Sequence, residues 1–129
     1  MQITVKKIDL NEEVILSIID GALVSMSDWA HDMYIESYGD LIKDNLDEEL
    51  SCSELYAKVL INKGKLKIVG YDNSEFKPQI LTLNKLIKGI KYMYKHYPKL
   101  IDLEDLGGMD AFAYADIIQA AIFNDIIYG

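Results

Sequence analysis

The fold class predicted from the sequence depends on residues 56–83, which read YAKVLINKGKLKIVGYDNSEFKPQILTL. Apolar residues cluster in short runs at 56–61, 66–71 and 76–83, and the turn-forming runs Asn-Lys-Gly-Lys and Asp-Asn-Ser separate them. Short apolar runs separated by such residues are typical of antiparallel strands. These residues therefore predict a three-stranded β-meander. Its third strand is expected at an edge, because Pro78 has no backbone N–H to donate.

Helical patterns precede the predicted meander. After a short predicted strand around Ile3 and Val5, Asn11 is placed to cap a helix. Apolar residues then recur every three or four positions up to Met33, which predicts one long core helix. Gly21 inside this helix either permits close packing or weakens the helix. A second, shorter helix is predicted over residues 41–50.

Two further helices are predicted after the meander. Thr82 is placed to cap a lysine-rich helix that Pro98 ends, and Asp110 is placed to cap a last helix over residues 111–124. The sequence as a whole therefore predicts a single α+β domain over residues 1–129, with helices packed on a small antiparallel sheet.

The last predicted helix is apolar on almost all sides. A helix without a polar face must be surrounded by its own domain or by another subunit. The stretch that starts at Ala111 and ends at Tyr128 therefore predicts a possible homodimer interface. A ligand-sequestering dimer with a pocket at that interface is one alternative function.

Charge is distributed unevenly along the chain. Residues 1–55 hold three Lys and 13 acids, residues 56–99 hold ten Lys and two acids, and residues 100–129 hold six acids and no Lys. The net charge of −8 therefore conceals blocks of −10, +8 and −6. These blocks either neutralise one another across the folded surface or leave one block free to bind a partner.

An acidic row recurs every four residues in the N-terminal block, and Asp47 and Glu49 add charge to it. If this segment is helical, four residues advance about 6 Å, close to the phosphate spacing of about 6–7 Å along a nucleic acid strand. We expect such a row to occupy a basic groove meant for DNA or RNA, so the expected partner is a basic nucleic-acid-binding protein of the host. The alternative is a solvated helix edge. The candidate partner-binding residues are Asp28, Asp32, Glu36, Asp40, Asp44, Asp47, Glu48 and Glu49.

The lysine-rich helix offers a second candidate surface. The residues on its polar side that would bind phosphate are Lys85, Lys88, Lys91 and Lys95, with Tyr92 placed to stack on a base. The net charge of −8 opposes approach to a polyanion, and the chain has no Arg for bidentate base contacts. A nucleic-acid-binding regulator is therefore an alternative function. The same lysines would also fit an acidic partner surface or the acidic block of a second subunit.

The chain shows no catalytic motif. Asp28 and His31 are one helical turn apart, but no second His or Cys completes a metal shell, so neither a metal site nor a cofactor is predicted. Gly107-Gly108 lacks the Lys and Ser/Thr of a phosphate loop, and neither HExxH nor GxSxG occurs. We therefore expect a binding protein and not an enzyme. The single Cys52, the lack of a signal-peptide pattern and the lack of a membrane span predict a cytoplasmic location.

Three parts of the sequence are similar to known proteins: residues 117–129 (IIQAAIFNDIIYG), residues 81–90 (LTLNKLIKGI) and the pair Tyr97-Pro98. Together they resemble small uncharacterised phage and prophage proteins. This resemblance implies no catalytic residue. It implies a context in which small acidic proteins without enzymatic activity inhibit host nucleic-acid machinery, and by analogy it includes anti-CRISPR proteins. The expected function is therefore stoichiometric inhibition through an acidic, phosphate-mimicking surface.

Overall fold

The computed structural model describes Ile8, residues 10–72 and residues 76–128. The elements in chain order are α1 (Glu12–Ser25), β1 (Asp32–Ser37), α2 (Cys52–Ile61), β2 (Lys65–Val69), β3 (Gln79–Leu81), α3 (Leu83–His96) and α4 (Ala111–Phe123). Short 3-10 turns cover Met26–Asp28, Lys43–Asn45 and Leu106–Gly108. The strands form one antiparallel sheet in the order β1-β2-β3, which confirms the predicted α+β class. The strand predicted around Ile3 and Val5 lies outside the described residues.

The first helix begins where the sequence predicts but ends earlier. The side chain of Asn11 accepts a 2.9 Å hydrogen bond from the backbone N–H of Val14, so the predicted N-cap is confirmed. Helix α1 ends at Ser25, and the prediction that it continues to Met33 is wrong. Buried apolar residues continue beyond the helix, through the 3-10 turn and into the next strand, which explains why the helical spacing extends too far.

Strand β1 replaces the end of that predicted helix. Met33 and Ile35 pack against the core, while the residues that alternate with them are exposed. This period of two is typical of a strand with one face on the core. Among the residues that the structure describes, β1 pairs only with β2, so it lies at one edge of the described sheet. The hydroxyl of Tyr56 donates a 2.8 Å hydrogen bond to the Met33 carbonyl and so joins α2 to β1.

Residues 52–61 form helix α2, so the strand predicted over residues 56–61 is wrong. A capping box fixes the start of α2: the Ser51 hydroxyl accepts from the Glu54 N–H, and the Glu54 carboxylate accepts from the Ser51 N–H, both at 3.2 Å. The helix predicted over residues 41–50 is also wrong, because that segment forms only the 3-10 turn Lys43–Asn45.

The other predicted strands are confirmed with shorter bounds. β2 covers Lys65–Val69, so it begins one residue before the predicted run 66–71 and ends two residues before the end of that run. β3 covers only Gln79–Leu81 and begins directly after Pro78. It lies at the second edge of the sheet, as expected for a strand that follows a residue without a backbone N–H.

Both C-terminal helices are confirmed. The side chain of Thr82 accepts from the Lys85 N–H at 3.2 Å, and the side chain of Asp110 accepts from the Ala113 N–H at 2.8 Å. Helix α3 lies close against α4 at Gly89, where an added Cβ would lie 2.7 Å from the backbone oxygen of Ile117. The contact between these helices therefore requires glycine at this position.

Helix α4 is the centre of the core, because it packs against both α1 and α3. Gly21 of α1 allows the close approach, since a Cβ there would lie 2.3 Å from the Tyr114 ring. The structure thus confirms close packing at Gly21. The domain itself surrounds α4, so the apolar character of this helix does not require a second subunit. The homodimer through residues 111–128 stays a prediction.

A buried glutamine holds the C-terminal segment in place. The Gln119 side-chain oxygen accepts from the N–H groups of Ile127 (2.9 Å) and Tyr128 (2.8 Å), and its amide nitrogen donates to the Tyr128 carbonyl (2.9 Å). Tyr128 then stacks on Trp29 with ring centroids 5.7 Å apart. Gln119 is only 2% exposed, and these bonds satisfy its polar atoms.

Candidate partner-binding surface

The carboxylates of the predicted acidic row do not lie on one helix. Asp28 closes the first 3-10 turn, and Asp32 and Glu36 lie on β1. The others follow β1, between that strand and α2. The regular spacing of about 6 Å is therefore wrong, since residues four apart in a strand are separated by about 13 Å. All of the predicted binding residues are nevertheless exposed: Asp28, Asp32, Glu36, Asp40, Asp44, Asp47, Glu48 and Glu49.

The acidic loop, residues 38–50, is tied by its backbone to the end of α2. The N–H of Asp40 donates a 2.7 Å hydrogen bond to the carbonyl of Asn62. Gly39 beside it has a φ of 62°, and an added Cβ would lie 2.3 Å from that same carbonyl oxygen. Only glycine combines this positive φ with so close an approach. The start of the loop is therefore fixed against α2.

A groove of about 450 Å³ lies between the acidic loop and α2, and we call it the acidic groove. Its apolar lining residues are Leu41, Ile42, Leu46 and Leu50, and its polar lining residues are Asp40, Asn45, Asp47, Lys58 and Asn62. One oxygen of Asp47 accepts a 2.9 Å hydrogen bond from the Glu49 N–H, which orients the carboxylate. Ile42 remains 61% exposed, so the groove offers an apolar contact to another molecule.

The groove carries a net negative charge. Its cation Lys58 is compensated, because its Nζ lies 3.1 Å from a Glu12 carboxylate oxygen. Lys63 lies 3.9 Å from Asp40, but both side chains are more than 70% exposed, so this pair contributes little. Within the described ranges, no lysine nitrogen comes within 4.0 Å of the carboxylates of the other predicted binding residues.

Sequence reasoning missed three acids beside the groove. Glu12, Glu13 and Glu54 line an adjacent cavity of about 180 Å³, which shares Leu50 and Lys58 with the acidic groove. Each of these acids lies in the first turn of α1 or α2, where a carboxylate also stabilises the helix dipole. Because this local role accounts for all three acids, the sequence around them does not indicate that they lie beside the acidic groove.

On β1, Tyr34 lies between Asp32 and Glu36 on the exposed side of the strand. The charge of Asp32, with smaller effects of burial and a hydrogen bond to it, raises the pKa of Tyr34. Tyr34 therefore stays protonated beside these carboxylates at neutral pH, and it adds a hydroxyl donor to this part of the surface.

The structure only partly supports the lysine surface. Lys88, Lys91 and Lys95 are exposed along one side of α3, and we call them the lysine stripe. Lys85 differs, because its Nζ donates a 2.8 Å hydrogen bond to the Ile80 carbonyl. Tyr92 is half-buried and does not offer a free ring face.

The hydroxyl of Tyr92 donates a 2.6 Å hydrogen bond to Asp125, and its ring lies 4.3 Å from that of His96. The hydrogen bond raises the pKa of Tyr92 to about 12 and lowers the pKa of Asp125. Tyr92 is thus engaged within the protein, and stacking on a base would require it to give up these contacts.

The described residues contain no group of three or more His, Cys, Asp or Glu placed to hold a metal ion. His31 packs instead against the Tyr71 ring at 5.4 Å, and Cys52 is exposed. None of the described helices is both long and apolar enough to span a membrane. No protein-family model, curated protein or solved structure matches this chain.

Proposed function

We propose that this protein acts by stoichiometric binding to a basic nucleic-acid-binding protein of the host and blocks nucleic acid binding by that protein. The proposed contact surface is the acidic groove together with the exposed carboxylates around it. These carboxylates replace phosphates in the partner's groove by their charge, without a regular spacing. The phage or prophage context that the resemblance implies belongs to this proposal.

The observation that supports the proposal most strongly is the state of the loop carboxylates. Asp44, Asp47, Glu48 and Glu49 are exposed and have no lysine nitrogen within 4.0 Å in the part of the chain that the structure describes. Carboxylates held together on a surface repel one another, and a cationic partner relieves that repulsion. Binding of a basic molecule to this surface therefore lowers the free energy.

The apolar lining of the groove adds binding affinity that charge alone does not supply. Exposed ion pairs contribute about 0–1 kcal/mol each, which is small against the entropy lost on association. Apolar side chains at the centre of a charged rim exclude water and raise affinity. Ile42 and Leu46 take this position in the acidic groove.

Capture from a host lysate tests the proposal with variants matched in charge. Asp44→Asn with Glu48→Gln removes two loop charges, and Asp72→Asn with Asp102→Asn removes two exposed charges elsewhere. We expect the loop variant to retain about fivefold less of a nucleic-acid-binding protein than the wild type, and the control to retain as much as the wild type. Equal capture by all three proteins would reject the loop as the contact surface.

The lysine stripe favours a second candidate function, direct binding of nucleic acid. Lys88, Lys91 and Lys95 are exposed, and none of them forms an ion pair in the described residues. A gel-shift titration of naked DNA and RNA at low salt separates the two candidates. Inhibition through the acidic surface predicts no shift, whereas a nucleic-acid-binding regulator predicts a shift that weakens as salt rises.

A further inference from the structure

The end of α3 forms an exposed corner whose chemistry is the opposite of that of the acidic groove. All residues from 94 to 100 are exposed, and they read YKHYPKL. We call this segment the basic corner. Tyr94 is 46% exposed, Tyr97 36% and Leu100 49%, so aromatic and aliphatic surface faces solvent next to Lys95 and Lys99.

The basic corner is a defined structure and not a loose loop. The Tyr97 N–H donates to the Met93 carbonyl at 2.7 Å, and the Leu100 N–H donates to the Tyr97 carbonyl at 2.9 Å. Pro98 restricts the backbone between them. Because α3 is packed on α4 at Gly89, the corner is presented on a rigid helix. Little backbone conformational entropy is lost when such a surface docks.

The charges of the two surfaces are complementary. Between residues 76 and 101 the chain has six lysines and no acid. Asp125 accepts a hydrogen bond from Tyr92 in this region, and Asp102 follows the corner two residues after Leu100. The acidic groove has Asp40 and Asp47 on its rim, and its own Lys58 is paired with Glu12.

The apolar parts of the two surfaces are complementary as well. The groove of about 450 Å³ has a size that accommodates one or two side chains, since small-ligand sites span about 300–1,000 Å³. Its apolar wall includes Ile42 and Leu46, and the corner offers Leu100 and Tyr97 as side chains to enter it. Apolar contact surrounded by opposite charges is the usual arrangement of a protein interface.

We propose that the basic corner of one copy docks into the acidic groove of a second copy. The contact joins different surfaces of the two molecules, so it is head-to-tail. The net charge of −8 on each copy opposes approach only at long range, and at physiological salt it is screened beyond about 8 Å. The opposite charges within the contact are closer than this distance and still attract.

This self-association is weak and would regulate access to the acidic groove. A few exposed ion pairs and small apolar contacts give an expected dissociation constant of about 0.1–1 mM. Because the docked corner covers the groove, a second copy would compete with any other basic partner for the same carboxylates. The proposed self-association stands independently of the proposed function, since it needs no other molecule.

The single cysteine provides a direct test. Cys52 is exposed at the start of α2, two residues after the groove residue Leu50. A natural-abundance copy carrying a nitroxide on Cys52 through a thioether is mixed with an ¹⁵N-labelled Cys52→Ser copy, each at about 0.5 mM, so that any broadening is intermolecular. We expect amide signals of residues 94–100 to lose intensity selectively, relative to a diamagnetic label. The loss should diminish at 0.5 M salt, because screening weakens the contact.

Two variants of the ¹⁵N-labelled copy separate the basic corner from a general charge effect. Lys99→Glu with Leu100→Ser changes exposed side chains of the corner and should weaken the association about tenfold, so that the broadening disappears. Lys77→Glu makes the same charge reversal at an exposed lysine outside the corner and should leave most of the broadening. An unchanged pattern of amide signals shows that each variant is folded.

The remaining outcomes overturn the proposal. No intermolecular broadening at these concentrations excludes the contact. Broadening centred on other exposed apolar residues, such as Phe112 or Ile127, shows association through a different face. Broadening of the corner that persists in the Lys99→Glu, Leu100→Ser variant also rejects the docking, because it would not depend on the side chains that enter the groove.

Discussion

The acidic loop and helix α3 differ in how they are held, although both display charge on one side. Helix α3 buries Leu86, Ile90 and Met93 completely, and its lysines face outward. The acidic loop has no fully buried side chain, and Leu41, Leu46 and Leu50 are only partly covered. The charges of α3 are thus carried by an element with fully buried side chains, whereas those of the loop are carried by a segment held by partly buried side chains and by the Asp40–Asn62 backbone hydrogen bond.

This difference separates stability from binding in the molecule. Changes in the face that α3 packs on α4 should destabilise the protein, whereas changes in the loop should alter binding and leave the fold intact.

Truncation of a side chain should lower the free energy of unfolding far more on the buried face of α3 than in the acidic loop. Ile90→Ala removes a fully buried side chain and should lower the free energy of unfolding by about 2–5 kcal/mol. Leu46→Ala removes a partly exposed side chain and should cost less than about 1 kcal/mol. Urea unfolding followed by circular dichroism measures both. Equal losses would show that the loop is part of the cooperative core.

Gly89→Ala should destabilise the protein through the contact between α3 and α4. The added Cβ would lie 2.7 Å from a backbone oxygen of α4, so the helices must separate. Overpacking of this kind costs about 1–3 kcal/mol, part of which the better helix propensity of alanine offsets. Asn84→Ala on the exposed side of α3 is the control and should change stability by less than about 0.5 kcal/mol. A neutral or stabilising Gly89→Ala would contradict the close packing.

Gly39→Ala should loosen the acidic loop with a smaller effect on the whole protein. The residue has a positive φ, which costs a side-chain-bearing residue about 1–2 kcal/mol, and its Cβ would meet the Asn62 carbonyl. We expect faster hydrogen exchange at the Asp40 amide, since its bond to Asn62 must break. The amides of α3 should exchange as in the wild type. Unchanged exchange at Asp40 would show that this bond does not fix the loop.

The smallest effect should come from Tyr92→Phe, which removes the hydrogen bond to Asp125. The folded pKa of Asp125 is below its usual 3.8, so its contribution is present above pH 3.8 and is lost as pH falls through the folded pKa. The folded pKa of Tyr92 is above 10.0, so its contribution is present below pH 10.0 and is lost as pH rises through about 12.

Urea midpoints of the wild type and Tyr92→Phe check this pH dependence. The difference between the two proteins should be small and constant between about pH 5 and 9. It should shrink in more acidic solution, where Asp125 gains a proton. If the difference in urea midpoint is the same at about pH 3 and at pH 7, the two proteins differ in stability because of the packing of the hydroxyl and not because of the charged hydrogen bond.

The elements that the sequence predicts correctly are those whose local signals agree. In α3, the capping residue Thr82, the apolar stripe and Pro98 all indicate the same helix. Strand β1 was missed because Met33 fits both the helical spacing of α1 and the alternation with Ile35. The choice between these periods depends on pairing with β2, which is a long-range contact that local spacing does not report.

Helix α2 could have been predicted, and the groove could not. The pattern Ser51-x-x-Glu54 is a capping box, but Tyr56, Val59 and Ile61, which follow it, favour a strand in isolation. The acidic row was predicted as exposed carboxylates, and their helical arrangement was wrong. The groove itself depends on the bond between Asp40 and Asn62, which joins distant parts of the chain.

The most direct test of the proposed function uses the nucleic-acid-binding protein that the loop captures. Its gel shift of nucleic acid is titrated with the wild type and with the Asp44→Asn, Glu48→Gln variant, at about 50 and 200 mM salt. We expect the wild type to abolish the shift near equimolar ratio, less effectively at the higher salt, and the variant to need about fivefold more protein. A shift that persists with excess wild type, or that both proteins suppress equally, would contradict the proposed function.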